Sequence, residues 1–520
     1  MSEQATYDLL TEKWIPVVFL KGTSELLNIR DVLVCSSIIK GISHTSPFIE
    51  FGLYRLLITI VLDAYIVAGK RPTIGKMKEM LAAKQFDQAI LMDYLDKYKE
   101  GFNLWSQTNP FLQIANPIKE KGKVSADPIE KMIAPIPSGT KVAFWHHYGT
   151  DEKKGETTLT WVETSHELCA VAPFCFDYAP SDICTIAGDP PLYALALGNS
   201  LFKTLVYNLP RPNGRLSKAS EVKDGPTWRC IVTKPDEVPR SPTHSQAWTW
   251  PVRQIKLQKS ENEDKSTVSN AVNLAGSGKT DARKRVHGWR DPNAGTVTDG
   301  EALRHIRGRD GMLLWRDFVP LYLVGSEGEA LRGDKRRSRP EVVTNALRLV
   351  DQELFRVAVY GFIDKGGRNN KVFRTWIRSV LTFPTEVGRD SRLSSQAFEA
   401  FKNTQRVAKA LEESLRLLKP PVKASKDKRP PPGRCDSDVI ASFWQELEPK
   451  LAHDYLDGLG KGDASALQTL NREVKTQARR AFKGASDPHR QAADGLYRIA
   501  NASNYLERRL AQLVPKEKNS

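Results

Sequence analysis

Asp364-Lys-Gly-Gly-Arg-Asn-Asn-Lys371 lies between two apolar runs, Leu354-Phe-Arg-Val-Ala-Val-Tyr360 before it and Val372-Phe-Arg-Thr-Trp376 after it. Alternation and β-branched residues make each run a strand. Gly366 and Gly367 permit a positive φ and Asn369 and Asn370 tolerate one, so the segment between the strands predicts a tight hairpin tip. That tip carries two amides and the cations Lys365, Arg368 and Lys371, with no apolar residue to hold them inside. Amides and cations on a rigid tip suit base edges and phosphates. A solvated turn has the same composition, so the rest of the chain must decide between the two.

The chain is 520 residues long, enough for two or more domains with large cores. A hydrophobic content of 40% and a charged content of 27% are ordinary for a folded protein. The charge balance is not: 77 Lys and Arg against 61 Asp and Glu give +16, which favours a polyanionic partner, most simply nucleic acid. An acidic membrane surface is the rival, but no basic amphipathic helix with an exposed aromatic face is apparent. Cys35, Cys169, Cys175, Cys184, Cys230 and Cys435 are irregularly spaced, which argues against a disulfide framework. The longest apolar stretch, from Leu53 to Ala68, is interrupted by Tyr54, Arg55, Thr59 and Asp63 and is too short to span a bilayer. The first residues lack the pattern of a signal peptide. Together these features place the expected protein in the cytoplasm.

In chain order, residues 7–20 predict a strand entered through a buried Trp14 and Pro16, and Gly22 a turn. Residues 47–68 predict a strong helix with Pro47 in its first turn and Phe51, Leu53, Leu56, Leu57, Ile60, Val61 and Ala64 on an apolar side. Short helices are expected at about 73–83 and 86–100, followed by Asn109-Pro-Phe-Leu-Gln113 on an extended segment. Residues 115–141 hold six prolines and glycines among Lys119, Lys121, Lys123, Lys131 and Lys141, which predicts a long basic loop ordered by a partner. Cys169, Cys175 and Cys184 lack the close pairs that zinc sites use and read as buried thiols, so no metal is expected. Leu192–Leu197 predicts a strand, Gly198-Asn199 a turn and Ser200–Asn208 a helix.

A Trp-rich lead-in from Ala247 opens onto an alternating strand ending near Leu257. Gly276-Ser-Gly-Lys-Thr280 imitates a phosphate-binding loop, but the required first glycine is replaced by Asn273. What remains is a basic loop with Lys279, Arg283, Lys284, Arg285, His287 and Arg290, which a solvated charge run would also produce. Lys335-Arg-Arg-Ser-Arg339 predicts an exposed basic cluster, and Pro340 opens a helix over 341–351. From about residue 389 the texture becomes helical. Helix 393–418, a Pro-rich basic linker over 419–434 and three further amphipathic helices predict a four-helix bundle. Its third helix carries Arg472, Lys475, Arg479, Arg480 and Lys483 on one side, and its last predicts a buried stripe through Ala492, Leu496, Ile499, Ser503, Leu506, Leu510 and Leu513. The expected fold class is α+β: a large mixed domain over 1–388, then a helical bundle over 389–520.

The order of these pieces resembles the CasA family, the large subunit of the type I-E CRISPR surveillance complex Cascade. The segments that carry the likeness are Leu9-Leu-Thr-Glu-Lys-Trp-Ile-Pro16, Asn109-Pro-Phe-Leu-Gln113, Asp127-Pro-Ile-Glu-Lys-Met-Ile133, Leu201-Phe-Lys-Thr-Leu-Val-Tyr-Asn-Leu-Pro210, Ala247-Trp-Thr-Trp-Pro251 and Gly366-Gly-Arg-Asn-Asn-Lys371. The resemblance implies a subunit without catalytic residues or cofactor that reads a protospacer-adjacent motif in double-stranded target DNA. It further implies that the subunit starts unwinding for the CRISPR guide RNA, sits among other Cascade subunits, and helps recruit a helicase-nuclease. By the same likeness, a wedge falls on Asn369, Asn370 and Lys371, and a basic finger on Lys279, Arg283 and Lys284. A glycine loop falls on Gly188. Phe111, Gln113, Lys119, Lys121, Lys123 and Lys131 form the docking segment for guide RNA and complex, and Arg472, Lys475, Arg479 and Arg480 grip the DNA backbone. The sequence departs from the family in placing Lys371 where a glutamine is usual, and in lacking two cysteine pairs that some relatives use for zinc.

Two other classes compete. A metal-dependent nuclease needs carboxylate or histidine clusters, and the adjacent His146 and His147 have no acidic partner at ligand spacing. A stand-alone RNA-binding scaffold needs an aromatic-rich sheet motif, which is not found.

Overall fold

Helix α2, Pro47–Val67, is buried around nearly its whole circumference. A helix apolar on one stripe lies on a surface; one covered on every side lies at the centre of a domain. The amphipathic reading of this segment is therefore corrected, because Tyr54, Arg55, Thr59 and Asp63 are buried along with the aliphatic residues. The computed structural model describes residues 6–117, 126–133, 158–174, 191–211, 224–233, 239, 241–251, 254–259, 267–274, 289–299, 302–308, 329–330, 335–365, 372–419 and 434–513. Two compact units divide the chain. Described residues of the first lie within Met1–Met312, Ala330–Val350 and Arg356–Val380, and those of the second within Leu313–Glu329, Asp351–Phe355 and from Leu381 onward. The division thus falls inside two long strands rather than at residue 388.

In the first unit, strands β1 (Ile15–Phe19), β2 (Ser24–Leu27) and β3 (Ile39–Ile42) form an antiparallel sheet in the order β2-β1-β3. The strand expected over 7–20 is shorter because Asp8–Glu12 closes into hydrogen-bonded turns and the Trp14 indole donates to the carbonyl of Leu9, 3.1 Å. Helix α1 (Ile29–Val34) is capped by Asn28, and α3 (Ile74–Ala83) and α4 (Gln88–Lys97) by Thr73 and Asp87, whose side-chain oxygens accept from the first-turn amides. Both α3 and α4 match expectation. Strand β4 (Ala126–Pro128) and a 3-10 turn over Ile129–Met132 lie inside the segment read as a loop. Ile129 and Met132 are buried there, and β4 pairs with β8 (Thr267–Leu274). That sheet also takes β5 (Leu159–Thr160) and β7 (Gln254–Lys259).

Helix α5 (Trp161–Phe174), strand β6 (Tyr193–Leu197) and helix α6 (Leu201–Tyr207) follow, with Ser200 capping α6 as the strand-turn-helix reading requires. The Trp-rich lead-in is helical: α7 spans His244–Thr249. Strands β9 (Thr296–Asp299), β10 (Ala302–His305), β11 (Glu329–Ala330) and β12 (Lys335–Ser338) form a sheet in the order β10-β9-β12-β11. The basic cluster at 335–339 is thus largely a strand, paired with β9. Helix α8 (Glu341–Leu347) leads to β13 (Leu354–Lys365) and β14 (Val372–Pro384), which join β6 in the order β14-β13-β6. Both strands are longer than predicted, and the tip between them, 366–371, lies outside the described residues.

In the second unit, short helix α9 (Thr385–Arg389) precedes α10 (Ser391–Leu417). Helix α11 (Arg434–Pro449) continues through a π-helical stretch, Lys450–Tyr455, into α12 (Leu456–Gly460). Helices α13 (Ala466–Ser486) and α14 (Gly495–Leu513) complete the bundle. The four long helices are those predicted. The stripe on α14 differs at its start, where Leu496 is 66% exposed and Gly495 and Arg498 are buried instead. Arg498 faces inward because its guanidinium reaches both the carbonyl of Leu418 and the carboxylate of Asp494.

Two buried histidines set an acid limit on the first unit. His166 holds the carbonyl of Trp14 at 2.6 Å, and His244 stacks against Trp248 at 5.9 Å. Burial pushes each imidazole from the ordinary 6.5 down to about 4. Folded, both stay neutral where the unfolded chain is already protonated, so stability is lost as pH falls from about 6.5 to about 4. Replacing both by glutamine should flatten this part of a melting-temperature profile against pH. A profile unchanged by the double substitution would place the acid sensitivity elsewhere.

Candidate nucleic-acid interface

Three charged side chains of the buried helix α2 need partners, because an unpaired charge inside a protein costs several kcal/mol. Each finds one from a distant part of the chain. Glu50 accepts from the hydroxyl of Tyr360 on β13 at 2.8 Å and from Arg378 on β14, Nε at 2.8 Å and Nη2 at 3.1 Å. Arg55 donates to both carboxylate oxygens of Asp291, 2.8 and 3.2 Å, and to Asn293 at 3.4 Å. Its guanidinium lies 4.9, 4.6 and 4.8 Å from the ring centres of Phe51, Tyr193 and Trp248, cation–π contacts made stronger by desolvation. Asp63 accepts from Arg229, 2.7 and 3.0 Å, and from Tyr94 at 2.7 Å.

The aromatic residues beside Glu50 and Arg55 gather the rest. Phe51 stacks on Tyr193 at 4.6 Å and meets Tyr360 at 5.3 Å and Phe174 at 5.8 Å. Phe48 meets Phe174 at 4.8 Å and Trp376 at 6.1 Å. The hydroxyl of Tyr193 donates to the carbonyl of Pro173, 3.0 Å, and Tyr193 pairs with Tyr360 across β6 and β13. Ala194 and Asn293 exchange bonds, amide to carbonyl at 2.7 Å and side-chain amide to carbonyl at 3.0 Å. Burial and the nearby Glu50 carboxylate raise the Tyr360 phenol well above its usual range, so its proton stays in place to be donated.

The expected contact residues Gly188, Lys279, Arg283, Lys284, Asn369, Asn370 and Lys371 all lie outside the described residues, as do Lys119, Lys121 and Lys123. Their flanks do not. Segment 175–190 leaves after Phe174 and returns at Leu192 and Tyr193. Segment 275–288 returns at Trp289–Asn293, where Arg55 holds Asp291. Segment 366–371 is framed by β13 and β14, which Glu50 holds through Tyr360 and Arg378. All three candidate DNA-contacting segments are therefore rooted at one cluster on the first half of α2.

Two candidates move. Phe111 and Gln113, expected on a docking face, are buried. The segment is a turn with Leu112 at φ 50°, not an extended strand. Gln113 donates to the carbonyl of Leu104 at 2.9 Å and accepts from the amide of Leu257 at 2.9 Å, so it fastens β7 to the core. Lys131 lies in the 3-10 turn beside buried Ile129 and Met132. Deleting 119–131 would remove β4 and a core residue, and would not leave the fold intact as a solvated loop would. In the bundle, Arg479 is engaged by Glu507 of α14 through two 2.7 Å bonds, whereas Arg472 and Arg480 are exposed and Lys475 half-buried. Cys169 is buried, as read, and burial raises its thiol, while Cys175 and Cys184 lie outside the described residues. Among the described residues no group of three metal-ligating side chains is present, and no helix is long and apolar enough to cross a membrane.

Glu50, Arg55, Asp291, Tyr360 and Arg378 were not singled out from sequence. The available signal was the charge inside an apolar helix, which calls for a partner without naming it.

The architecture is that of a mixed α+β protein closing in a helical bundle. Residues 8–483 match the family described as CRISPR-associated protein Cse1, and the chain belongs to that family. A curated CasA/Cse1 protein of Thermus thermophilus is 24% identical over 267 residues, 49% of this chain, and the match spans about half (50%) of that relative. The crystal structure of Cse1 from Acidimicrobium ferrooxidans superposes with a TM-score of 0.72 at 20% identity, covering 98% of this chain and 99% of that one. A chain from a CRISPR RNA-guided surveillance complex gives 0.71 at 18% identity, covering 98% and 99%.

Glu50→Ala should cost about 1.5–3 kcal/mol, the range for hydrogen bonds to a charged group. Amide exchange should rise along Val357–Gly361 and Ile377–Val380, and equilibrium unfolding with exchange mapping checks both. In the bundle, converting Arg472, Lys475 and Arg480 to glutamine should lower the salt slope of DNA binding by roughly one for each phosphate no longer neutralised. Arg479→Gln alone should leave the slope nearly unchanged, because its charge is already matched by Glu507.

Proposed function

We propose that this chain is the DNA-recognition subunit of an RNA-guided surveillance complex. In this reading it reads a short motif in duplex DNA and begins strand opening, which guide-RNA pairing then extends. It performs no chemistry itself and helps bring a helicase-nuclease to the opened target. Its neighbours are other Cascade subunits and the guide RNA, in the cytoplasm. The observation that carries the reading is the common root of segments 175–190, 275–288 and 366–371 at Phe51, Glu50 and Arg55. Separate basic loops grip a polyanion anywhere; loops rooted at one rigid cluster suit a single short stretch of duplex.

The hairpin supplies the mechanical element. Its strands are tied to α2 by a buried carboxylate, so load on the tip passes into the core. At the tip, Asn370 can donate to the N3 and O2 acceptors of the minor groove, where readout is degenerate and several motifs are tolerated. Lys371 brings a charge to the same acceptors or a neighbouring phosphate. Parting a base step costs on the order of a few kcal/mol, which the new interactions must offset. Gly188 lets backbone approach the groove, and Lys279, Arg283 and Lys284 supply cations for its phosphates. The basic segment with Lys119, Lys121, Lys123 and Lys131 contacts guide RNA and neighbouring subunits, with Phe111 and Gln113 securing its root. Metal-dependent cleavage by the pure chain would favour a nuclease instead.

Asn370→Ala with Lys371→Ala should weaken binding to a matched duplex and blur discrimination between motifs. Binding to a target already melted beside the motif should change much less. Equal losses on duplex and bubble would mean that the hairpin grips only the backbone.

A further inference from the structure

Two of the candidate contact segments return to the core side by side and are fastened to each other there. Segment 175–190 returns at Leu192, whose amide donates to the carbonyl of Ile306 at 2.9 Å. Segment 275–288 returns at the buried Trp289 and runs into a turn over 291–294, closed by the Ala294 amide on the carbonyl of Asp291 at 3.0 Å. Tyr193 bridges to Ala294, and beside it Ala194 and Asn293 exchange their two bonds. The remaining tie is His305, the last residue of β10. Its Nε2 accepts from the Asp291 amide at 3.2 Å, while the next residue, Ile306, donates to the carbonyl of Gly295 at 2.8 Å and accepts from Leu192. His305 and Ile306 thus bond to the returns of both segments. Burial holds the His305 imidazole below its ordinary pKa, so the ring stays neutral and Nε2 keeps the lone pair that the amide needs.

We infer that His305 is a positioning residue: by holding the Asp291 amide it fixes the spacing between segments 175–190 and 275–288, so that both meet one short stretch of duplex DNA together. The inference rests on the proposed DNA role of those segments and adds to it the residue that sets one against the other. Chain length makes that setting count. Gly188 stands four residues before Leu192, and Lys284 five before Trp289. Even a fully extended chain keeps them within about 14 Å and about 18 Å of these anchors. A displaced anchor therefore carries its contact residue with it. The turn does not need His305 for its own closure, since the Asp291 carboxylate already accepts from the Asn293 amide at 2.9 Å and from Arg55. What His305 adds is a bond from the neighbour of the residue that holds Leu192, and a buried polar network of this kind specifies relative position.

The test uses the full chain, the duplex it binds best in a motif library, and the same duplex with that motif altered. His305→Leu removes the acceptor; His305→Gln returns one as a carbonyl oxygen. The leucine variant should bind the best duplex about 5-fold or more weakly, within the coupling range of residues in one hydrogen-bond network. It should also lose most of the discrimination between the two duplexes, while the glutamine variant retains most of both. The decisive comparison is a cycle with Lys279→Ala, Arg283→Ala and Lys284→Ala combined. If His305 acts through this segment, His305→Leu added to the triple variant should change affinity by less than about 2-fold. A general loss of stability would add in full on both backgrounds. Full additivity overturns the inference, as does a leucine variant equal to wild type or to the glutamine variant. Should the leucine variant not fold, Asn293→Ala, which cuts the side-chain tie to Ala194, takes its place in the cycle with the same expected and overturning results. The triple variant alone separates the two ideas. If it weakens duplex binding while His305→Leu does not, the positioning role fails and the DNA role of 275–288 stands; if it changes nothing, that DNA role fails and the inference with it.

Discussion

A carboxylate, a guanidinium and a second carboxylate inside one helix govern this structure. α2 is buried along its length, so Glu50, Arg55 and Asp63 are stable there only when matched. An all-apolar helix of the same shape would pack as well and slide more freely. The charges instead dictate which segments approach, and in what register: Tyr360 and Arg378 at Glu50, Asp291 and Asn293 at Arg55, Arg229 and Tyr94 at Asp63. Buried ion pairs add little net stability against apolar replacements, and a gain in specificity is the better account of these. The segments so chosen frame the loops assigned to DNA.

Much of the fold was legible because its signals are local. The helices over Pro47–Val67, Ile74–Ala83 and Gln88–Lys97, the Ser200-capped turn into Leu201–Tyr207, both hairpin strands and the four long bundle helices follow from periodicity, capping and turn chemistry. What could not be read is what depends on partners distant in sequence. Gln113 looks like a surface amide until β7 arrives to use it. Ala126–Pro128 looks like loop because β8, its partner, lies far along the chain. Arg479 looks like one more cation in a row because Glu507 is on another helix. The roles of the contact segments follow from likeness to a family; local composition says only that 275–288 and 366–371 are basic, while 175–190 carries three Asp and no Lys or Arg.

The bundle illustrates how a charge row can mislead. Spacing on α13 places its cations on one side, and that is correct. Yet the bidentate pair between Arg479 and Glu507 is neutral as a unit, which divides the row into positions either side of it. Any phosphate contact made there falls to Arg472, Lys475, Arg480 and Lys483.

The partners of α2 also fix when the first unit can be completed. Measured along the chain, Arg229 lies 166 residues beyond Asp63, Asp291 236 beyond Arg55, and Arg378 328 beyond Glu50. During synthesis the helix emerges early, with three charges that nothing nearby can neutralise. It cannot settle into its final environment until Arg378 has left the ribosome. Pairings this distant slow folding and leave the unfinished domain open to misassembly. A fragment ending before β14 would leave Glu50 without the guanidinium of Arg378, so the hairpin is both the last piece of the first unit to arrive and the one that closes its core.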